Sequence, residues 1–205
     1  ISFKIYRNFP QKLIAVTGTN GKSSVADFFY QILNLNNKKV ASIGTLGVKS
    51  NNFKLNLSNT TIDPIKLSKI LNILGKKKIN YIIMEASSHG LKQNRLDGLL
   101  FDIGIFTNLS HDHLDYHKNL ANYLDAKLYL FEKLIKKRGH IITDQEIPEF
   151  QKIKNISYKK KINLNSLSDK KNKFELLSHK FHRESQIIDI RYNNSIDRIK
   201  INLIG

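Results

Sequence analysis

The stretch "AVTGTNGKSSVADFF", residues 15–29, runs from an apolar segment through a polar loop into an apolar-periodic segment. A strand, a glycine-containing loop and a helix in this order form the setting in which many proteins hold a nucleotide phosphate. Glycines let backbone N–H groups approach phosphate oxygens, and the start of the helix adds its dipole. The stretch therefore predicts a phosphate-binding loop after a buried strand.

Two residues at the end of this loop have the chemistry that a bound nucleotide needs. Lys22 would place a point charge on the β and γ phosphates, and the Ser23 hydroxyl would hold Mg²⁺. The general pattern G-x-x-x-x-G-K-[ST] has a glycine where this chain has Val16. A plain glycine turn, with the lysine in solvent, is the alternative interpretation.

Apolar runs alternate with helical patterns along the first 145 residues. The runs predict strands at 12–17, 39–44, 81–85, 101–107 and 139–143. Apolar residues at helical spacing predict three helices, marked by Val25, Phe28, Phe29, Ile32 and Leu33, by Leu67, Ile70, Leu71 and Leu74, and by Tyr123, Ala126, Leu130 and Leu134. This alternation predicts an α/β fold, a mostly parallel sheet with helices on both faces. Ligands bind beyond the carboxyl ends of such strands, so we expect the site in the loops after residues 17, 85 and 107.

The sequence changes character after residue 145. Residues 158–173 are rich in lysine and asparagine and predict a flexible surface insertion. Two alternating runs about Asn193-Asn194 predict a hairpin, a small antiparallel addition packed on the sheet's edge. The chain stops at Gly205 without turn residues, so we expect a fragment boundary there.

Charge is the strongest feature of the composition. The 205 residues carry a net charge of +17, and none is cysteine, which excludes disulfides and thiolate metal sites. Such a charge is typical of RNA-binding or anionic-membrane-binding proteins. However, the lysines are scattered, and an aromatic platform for bases is missing from the sequence. We therefore expect no nucleic-acid partner. The sequence also has no apolar run long enough to span a membrane and no signal-peptide pattern at its start, so we expect no membrane insertion and a cytoplasmic location.

A loop at 108–117, "NLSHDHLDYH", concentrates histidine and aspartate after a strand. It nearly matches the H-x-H-x-D-H ligand run of metallo-β-lactamase-type hydrolases, which would make the protein a zinc hydrolase using residues 111–117. Tyr116 breaks that spacing, and the phosphate loop would be left without a role. The loop could also simply cap the next helix. The interpretation we favour is that one or two of these residues serve the Mg²⁺ of a bound nucleotide.

Five sequence words occur together in one order: "TGTNGKSS" (17–24), "NTTIDP" (59–64), "EASSHGLKQNR" (85–95), "FTNLSHDHLDYH" (106–117) and "YLDAKLYLF" (123–131). Together they resemble the Mur ligase family, in its UDP-N-acetylmuramyl-tripeptide synthetase (MurE-type) branch. The resemblance is strongest over residues 12–143. The family's own loop is built on T-G-T-N-G-K, which accounts for Val16.

The resemblance implies a role for each matching residue. ATP phosphates would be bound by Gly18, Thr19, Asn20, Gly21, Lys22, Ser23 and Ser24. Two Mg²⁺ ions would be held by Ser23, Glu85, His113 and Lys127, the last as a carbamate that offers the oxygen ligands Mg²⁺ prefers. The catalytic residues would be Lys22, His113 and Lys127. The substrate UDP-MurNAc-L-Ala-D-Glu would be bound by Asn59, Thr60, Thr61, Ser87, Gln93 and Arg95.

The resemblance also implies a reaction and a domain plan. ATP would phosphorylate the D-Glu side-chain carboxylate, and the amine of meso-diaminopimelate or L-lysine would attack the acyl phosphate, a step in making the peptidoglycan precursor. Residues 1–11 would be a linker from a missing N-terminal domain. Residues 12–205 would be the ATP-binding middle domain of a monomeric ligase, truncated before its C-terminal domain and inactive alone. Folylpolyglutamate synthetase shares the loop and is the alternative within this class.

Overall fold

The strand of the phosphate loop lies in the middle of an eight-stranded sheet in the computed structural model, which describes residues 2–6, 8–51, 53–57, 60–167, 174–193 and 195–202. The strands are β1 (Lys12–Thr17), β2 (Val40–Gly44), β3 (Gly47–Ser50), β4 (Phe53–Leu55), β5 (Tyr81–Glu85), β6 (Phe101–Phe106), β7 (Ile135–Thr143) and β8 (Asn163–Ser166). Their order across the sheet is β4-β3-β2-β5-β1-β6-β7-β8. Six strands from β2 to β8 are parallel, and β3 and β4 form an antiparallel edge. The prediction of a mostly parallel sheet is confirmed.

Helices cover both faces of this sheet. They are α1 (Ser2–Ile5), α2 (Lys22–Leu35), α3 (Pro64–Lys76), α4 (Ser88–Lys92), α5 (Leu114–His117), α6 (Leu120–Tyr129) and α7 (Phe150–Lys160), and a π-helical turn (Leu130–Leu134) follows α6. Successive residues of β1 point to opposite faces. Ile14 and Val16 pack with Ala26 of α2, whereas Leu13 and Ala15 join the larger core with α3, α6 and α7. A near-continuous apolar strand such as β1 is thus explained by burial on both faces.

The five predicted strands and the three predicted helices are all present. β7, however, begins at Ile135, four residues before the prediction, because a bulge between Phe101 and Ile103 of β6 accommodates extra charged residues of β7. The hairpin of β3 and β4 was missed. The segment 1–11, predicted to be a linker, contains the short helix α1, which contacts α3.

The prediction of a flexible insertion at 158–173 is wrong for its first half. Residues 158–160 finish α7, whose Ile153 is fully buried, and β8 pairs in parallel with β7 from His140↔Asn163 to Thr143↔Ser166. Backbone hydrogen bonding and a few apolar anchors, such as Ile162, order this lysine-rich stretch. Residues 168–173 lie outside the described residues.

A second, three-stranded antiparallel sheet ends the chain. Its strands are β9 (Phe174–Phe181), β10 (Gln186–Tyr192) and β11 (Ser195–Ile201), in the order β11-β10-β9. The predicted hairpin is confirmed, with Tyr192 opposite Ser195, although Asn194 itself lies outside the described residues. The hairpin belongs to this separate sheet and, within the described residues, is not hydrogen-bonded to the large sheet, so its predicted packing on the edge of the large sheet stays a prediction. Across the described residues, the helices are all too short or too polar for a membrane span.

Candidate active site

A cavity of about 300 Å³ opens at the carboxyl edge of the large sheet, where β1, β2 and β5 end. It is lined by the phosphate loop, by both ends of the segment that joins β2 to α3, by the start of α4 and by one side of α6. The lining residues are Thr19, Asn20, Gly21, Lys22, Ser23, Ser24, Thr45, Thr60, Glu85, Ser87, Ser88, His113, Tyr123 and Lys127. Polar groups from four distant parts of the sequence therefore meet where the strand order predicts a ligand.

Glycine is required where the phosphate loop turns. Gly18 has φ +147° and Gly21 has φ +82°, values in the region that favours glycine. A Cβ on Gly18 would also overlap the Thr107 hydroxyl, which donates to the Asn20 carbonyl at 2.7 Å. Asn108 adds two bonds, since its carbonyl accepts from Thr19 N and its side-chain oxygen accepts from Asn20 N. The segment after β6 thus fixes the loop after β1.

Two lysines converge on this loop. Lys22 Nζ donates to the carbonyls of Gly18 and Thr19 at 2.9 and 2.7 Å, and Lys127 Nζ donates to the Gly18 carbonyl at 2.7 Å. Burial lowers the pKa of Lys22, while the negative charges of Glu85 and Asp112 partly oppose that change. Two lysine amines therefore lie at the place where phosphate oxygens would bind.

Lys127 is the most unusual group in the cavity. It lies on α6 one turn after Tyr123, with its Nζ 4.0 Å from the centre of the Tyr123 ring, and it is 1% exposed. Burial, and then the positive charge of Lys22, lowers its pKa to about 7. A large fraction of this amine is therefore uncharged near neutral pH, unlike an ordinary lysine.

Glu85, at the end of β5, is buried and held by uncharged donors. Ser23 Oγ and Thr45 Oγ1 donate to its Oε2 at 2.9 and 3.1 Å, and Thr45 N donates to its Oε1 at 2.8 Å. None of the ion pairs within the described residues includes it. The carboxylate thus lines the cavity beside the Ser23 hydroxyl. No lysine, arginine or histidine of the described residues forms an ion pair with it.

Only some of the residues predicted to bind substrate line the cavity, and the others form hydrogen bonds next to it. Thr60 and Ser87 line the cavity. Thr61 points inward, where its hydroxyl donates to the Glu85 carbonyl and accepts from Ser87 N. Arg95 donates to the Thr61 carbonyl at 2.6 Å and to the Gln93 side chain at 2.8 Å. Gln93 and Arg95 therefore do not line this cavity, and Asn59 lies outside the described residues.

Histidines and tyrosines from two helices pack together at the rim of the cavity. His89 lies 4.9 Å from His113 and 4.1 Å from Tyr116, ring centre to ring centre. His117 is buried, and its Nε2 shares a 3.0 Å hydrogen bond with Ser88 Oγ. Burial lowers the pKa values of His89 and His117. Within the described part of the chain, no three His, Cys, Asp or Glu side chains are grouped to hold a metal, so residues 111–117 do not form the ligand cluster that a zinc hydrolase needs.

Sequence analysis assigned no role to several residues of this site, three of which are supports or neighbours of the predicted residues. Thr45 follows β2, Thr107 supports the phosphate loop, and His117 holds Ser88. One signal was available for Thr45, because the carboxyl end of β2 belongs to the same edge as the three loops that were considered. Thr107 was predicted as the last residue of a strand, although the strand ends at Phe106, and its supporting hydrogen bond has no sequence signature.

The fold and the cavity define a phosphate-loop nucleotide-binding α/β domain. Comparison with known families narrows this class. Residues 16–205 match the Mur ligase middle domain, and the chain belongs to the Mur ligase family.

Individual relatives agree with that placement. The chain is 46% identical over 161 residues to the UDP-N-acetylmuramoyl-L-alanyl-D-glutamate–2,6-diaminopimelate ligase of Rickettsia bellii, an alignment that covers 77% of this chain and 34% of the relative. It is similar to a solved ligase of the same name, with 26% identity, a TM-score of 0.80, and coverage of 96% of this chain and 40% of that one. A folylpolyglutamate synthase of Mycobacterium tuberculosis complexed with ADP shares the fold alone, at 13% identity, a TM-score of 0.69, and coverage of 95% and 50%. The chain thus spans between about a third and a half of these proteins.

Proposed function

We propose that this chain is the ATP-binding middle domain of a ligase that joins 2,6-diaminopimelate to UDP-MurNAc-L-Ala-D-Glu. One observation carries the proposal: the phosphate loop, a buried carboxylate and a buried lysine of lowered pKa share one cavity. The names of the relatives at 46% and 26% identity favour diaminopimelate over L-lysine.

ATP fits the phosphate loop by geometry and charge. The backbone N–H groups after Gly21 and the start of α2 can receive phosphate oxygens, and Lys22 has a flexible side chain whose present partners are two loop carbonyls. Exchanging those carbonyl contacts for β and γ phosphate oxygens would strengthen the hydrogen bonds, since bonds between charged groups are the stronger kind. The residues from Thr19 to Ser24 would surround the phosphates.

The donor set also fits Mg²⁺. Ser23 Oγ and the Glu85 carboxylate are adjacent hard oxygen groups, and His113 lies at the cavity's open side. Mg²⁺ bound there would neutralise charge on the transferring phosphoryl group. The protein's own part would be to hold the two oxygens in place and to offer Lys22 as a further positive charge.

Lys127 fits conversion to a carbamate. Carbon dioxide reacts with an uncharged amine, whose nitrogen bonds the carbon and releases a proton, and a pKa of about 7 leaves about half of the amine uncharged at that pH. The product would be an anion next to Lys22, and it would offer two oxygen ligands in place of an amine. It lies on α6, and its Nζ already contacts the phosphate loop at the Gly18 carbonyl.

The acceptor would enter beside Thr60 and Ser87. Phosphoryl transfer to its D-Glu carboxylate requires positioning and charge neutralisation more than covalent help from the protein. The amine would then attack the acyl phosphate. Arg95, Gln93 and Thr61 would shape this side of the cavity from behind. The monomeric state and cytoplasmic location stay predictions.

The test is phosphate release by the full-length protein supplied with ATP, Mg²⁺ and UDP-MurNAc-L-Ala-D-Glu. We expect release that requires both the nucleotide-peptide and diaminopimelate, with L-lysine much poorer. Lys22→Met should abolish it, whereas Lys154→Met, an exposed lysine on α7, should not. Release with folate substrates in place of the nucleotide-peptide, or activity retained by Lys22→Met, would overturn the proposal.

A further inference from the structure

Thr45 holds both oxygens of the Glu85 carboxylate. Its backbone N–H donates to Oε1 at 2.8 Å and its hydroxyl donates to Oε2 at 3.1 Å. Two donors from one residue fix the plane of a carboxylate as well as its position. Ser23 donates to Oε2 as well, but it contacts only that one oxygen.

The turn that presents Thr45 is shaped to the carboxylate. Gly44 ends β2 directly before it, and a Cβ at Gly44 would overlap the Glu85 side chain, including Oε1. The missing side chain lets the carboxylate lie against the turn, within reach of the Thr45 N–H. The two strands that bring these residues together, β2 and β5, are parallel neighbours with Ile43 opposite Met84.

Thr45 also contacts the segment proposed to bind substrate. Its hydroxyl lies 3.0 Å from the Thr60 hydroxyl. Because the single hydroxyl proton of Thr45 is donated to Glu85, Thr60 must be the donor in this bond. The hydrogen bonds therefore run in one direction, from Thr60 through Thr45 to Glu85.

We propose that Thr45 is a positioning residue that aims the Glu85 carboxylate and couples it to Thr60. The part of the proposal that concerns coupling to substrate rests on the proposed function. Two consequences follow. Affinity for Mg²⁺ depends on the Thr45 hydroxyl, because outer-sphere partners of metal ligands fix their orientation. Binding of the nucleotide-peptide and of Mg²⁺ also favour each other through this residue, and such coupling is reciprocal.

The test compares Thr45→Val and Thr45→Ser in the full-length protein. Valine keeps the shape and the backbone N–H but lacks the hydroxyl, and serine restores it. Isothermal calorimetry with Mg²⁺, at a fixed concentration of ADP, should give a Kd that rises about tenfold or more in Thr45→Val and stays within about threefold of wild type in Thr45→Ser. Binding of ADP without Mg²⁺ should be unchanged in both.

Thr143→Val is the matched control. Its hydroxyl also donates to a protein oxygen, but that oxygen is the Phe106 carbonyl instead of a carboxylate, so the substitution should leave Mg²⁺ affinity unchanged. Should Thr45→Val fail to fold, Thr45→Ala is measured in the same way with the same two outcomes. Wild-type Mg²⁺ affinity in the hydroxyl-free variant, or a loss in Thr45→Ser as large as in Thr45→Val, would overturn the positioning role.

The coupling has its own readout. Adding UDP-MurNAc-L-Ala-D-Glu should lower the Mg²⁺ Kd of wild type and of Thr45→Ser, but not that of Thr45→Val. A substrate effect that persists in Thr45→Val would overturn the coupling. Absence of ligation by wild type with every amine, together with the expected Mg²⁺ results, would sink the proposed function and leave the positioning role standing.

Discussion

A carboxylate lies at the amino ends of the parallel strands and another at their carboxyl ends, and the two have different hydrogen-bond partners. We call these two sides of the sheet the amino edge and the carboxyl edge. Asp102, near the start of β6, pairs with Lys12 at 3.2 Å and Lys136 at 3.0 Å and accepts a bond from Leu13 N. Glu85, at the end of β5, is bonded by hydroxyl and backbone donors instead. Burial alone would raise the pKa of Asp102, but the Leu13, Lys136 and Lys12 hydrogen bonds outweigh it and lower the pKa.

We interpret the difference as one between a structural charge, Asp102, and a charge proposed to bind a metal ion, Glu85. At the amino edge, cations from two flanking strands satisfy Asp102, and the group ties β1 and β7 to β6. At the carboxyl edge, uncharged donors satisfy the lone pairs of Glu85 without cancelling its charge, which stays available to an external cation. A buried carboxylate kept without a bonded cation is therefore the clearest mark of function in this fold.

Glu85→Gln should give the largest effect. The amide keeps the volume but loses the charge. If Glu85 is the proposed metal ligand, its loss should exceed the loss of an outer-sphere partner, so we expect kcat/KM for ligation by the full-length protein to fall by about 100-fold or more. Melting curves should show the variant folded. Activity near wild type would remove the functional half of the comparison.

Lys127→Met tests whether protonation of the buried Lys127 amine at the carboxyl edge destabilises the folded protein. The pKa of Lys127 is about 7 in the folded chain against its ordinary 10.5, so between these pH values the unfolded chain binds the extra proton and wild-type stability rises with pH. In buffer free of carbon dioxide, methionine should therefore stabilise the protein most at low pH. The gap in unfolding free energy should widen by about 1.4 kcal/mol per pH unit as pH falls from 10 to 7 and stay level below 7. Urea titrations at four pH values measure it, and a gap that does not change with pH would contradict the assignment.

Gly44→Ala displaces Glu85 without altering it. The new Cβ would overlap the carboxylate, which must move away from Thr45. We expect about tenfold weaker Mg²⁺-dependent nucleotide binding, measured by calorimetry. Other glycines are unsuitable controls, because a Cβ at Gly75 would meet the Asn8 backbone and a Cβ at Gly139 would meet backbone carbonyls. The control is therefore Ser42→Ala, at a buried position of the same strand, β2. Unchanged binding in Gly44→Ala would show that the Glu85 carboxylate can move away from the new Cβ without losing Mg²⁺ affinity.

Asp102→Asn should give the smallest effect and should spare activity. Replacing the charge weakens two lysine contacts while an acceptor for Leu13 N remains, so we expect a loss of about 1 kcal/mol of stability and an unchanged kcat/KM. The pKa of Asp102 is lowered in the folded chain, and its contribution is present above pH 4 and lost as pH falls further. The gap between variant and wild type should accordingly close in acid, as denaturation at pH 7 and pH 3 would show. A fall in activity would mean that the two edges are not independent.

Sequence reasoning predicted five strands of the large sheet, the phosphate loop and the acidic end of β5 because each has a local pattern. It failed where order comes from distant partners. Residues 158–166 have little apolar content, yet β7 supplies the hydrogen bonds that make β8 a strand. Lys127, by its residue type alone, would be placed on a solvated helix face. Because it follows Tyr123 by four residues, it lies on the same buried side of α6. The spacing alone does not show that this side of α6 lines a cavity.

The sequence by itself determined the α/β class, the loop at 18–24 and the family words, since glycine placement, apolar periodicity and fixed motifs are properties of neighbouring residues. Only the tertiary structure decided that Thr45 donates to the Glu85 carboxylate and that Arg95 donates to the Thr61 carbonyl. The same holds for Lys22 and Lys127, which both donate to the Gly18 carbonyl. The physical reason is that hydrogen bonds, desolvation and charge depend on distance in space. The parallel sheet brings the ends of β1, β2 and β5 together, although they are separated by tens of residues in the chain.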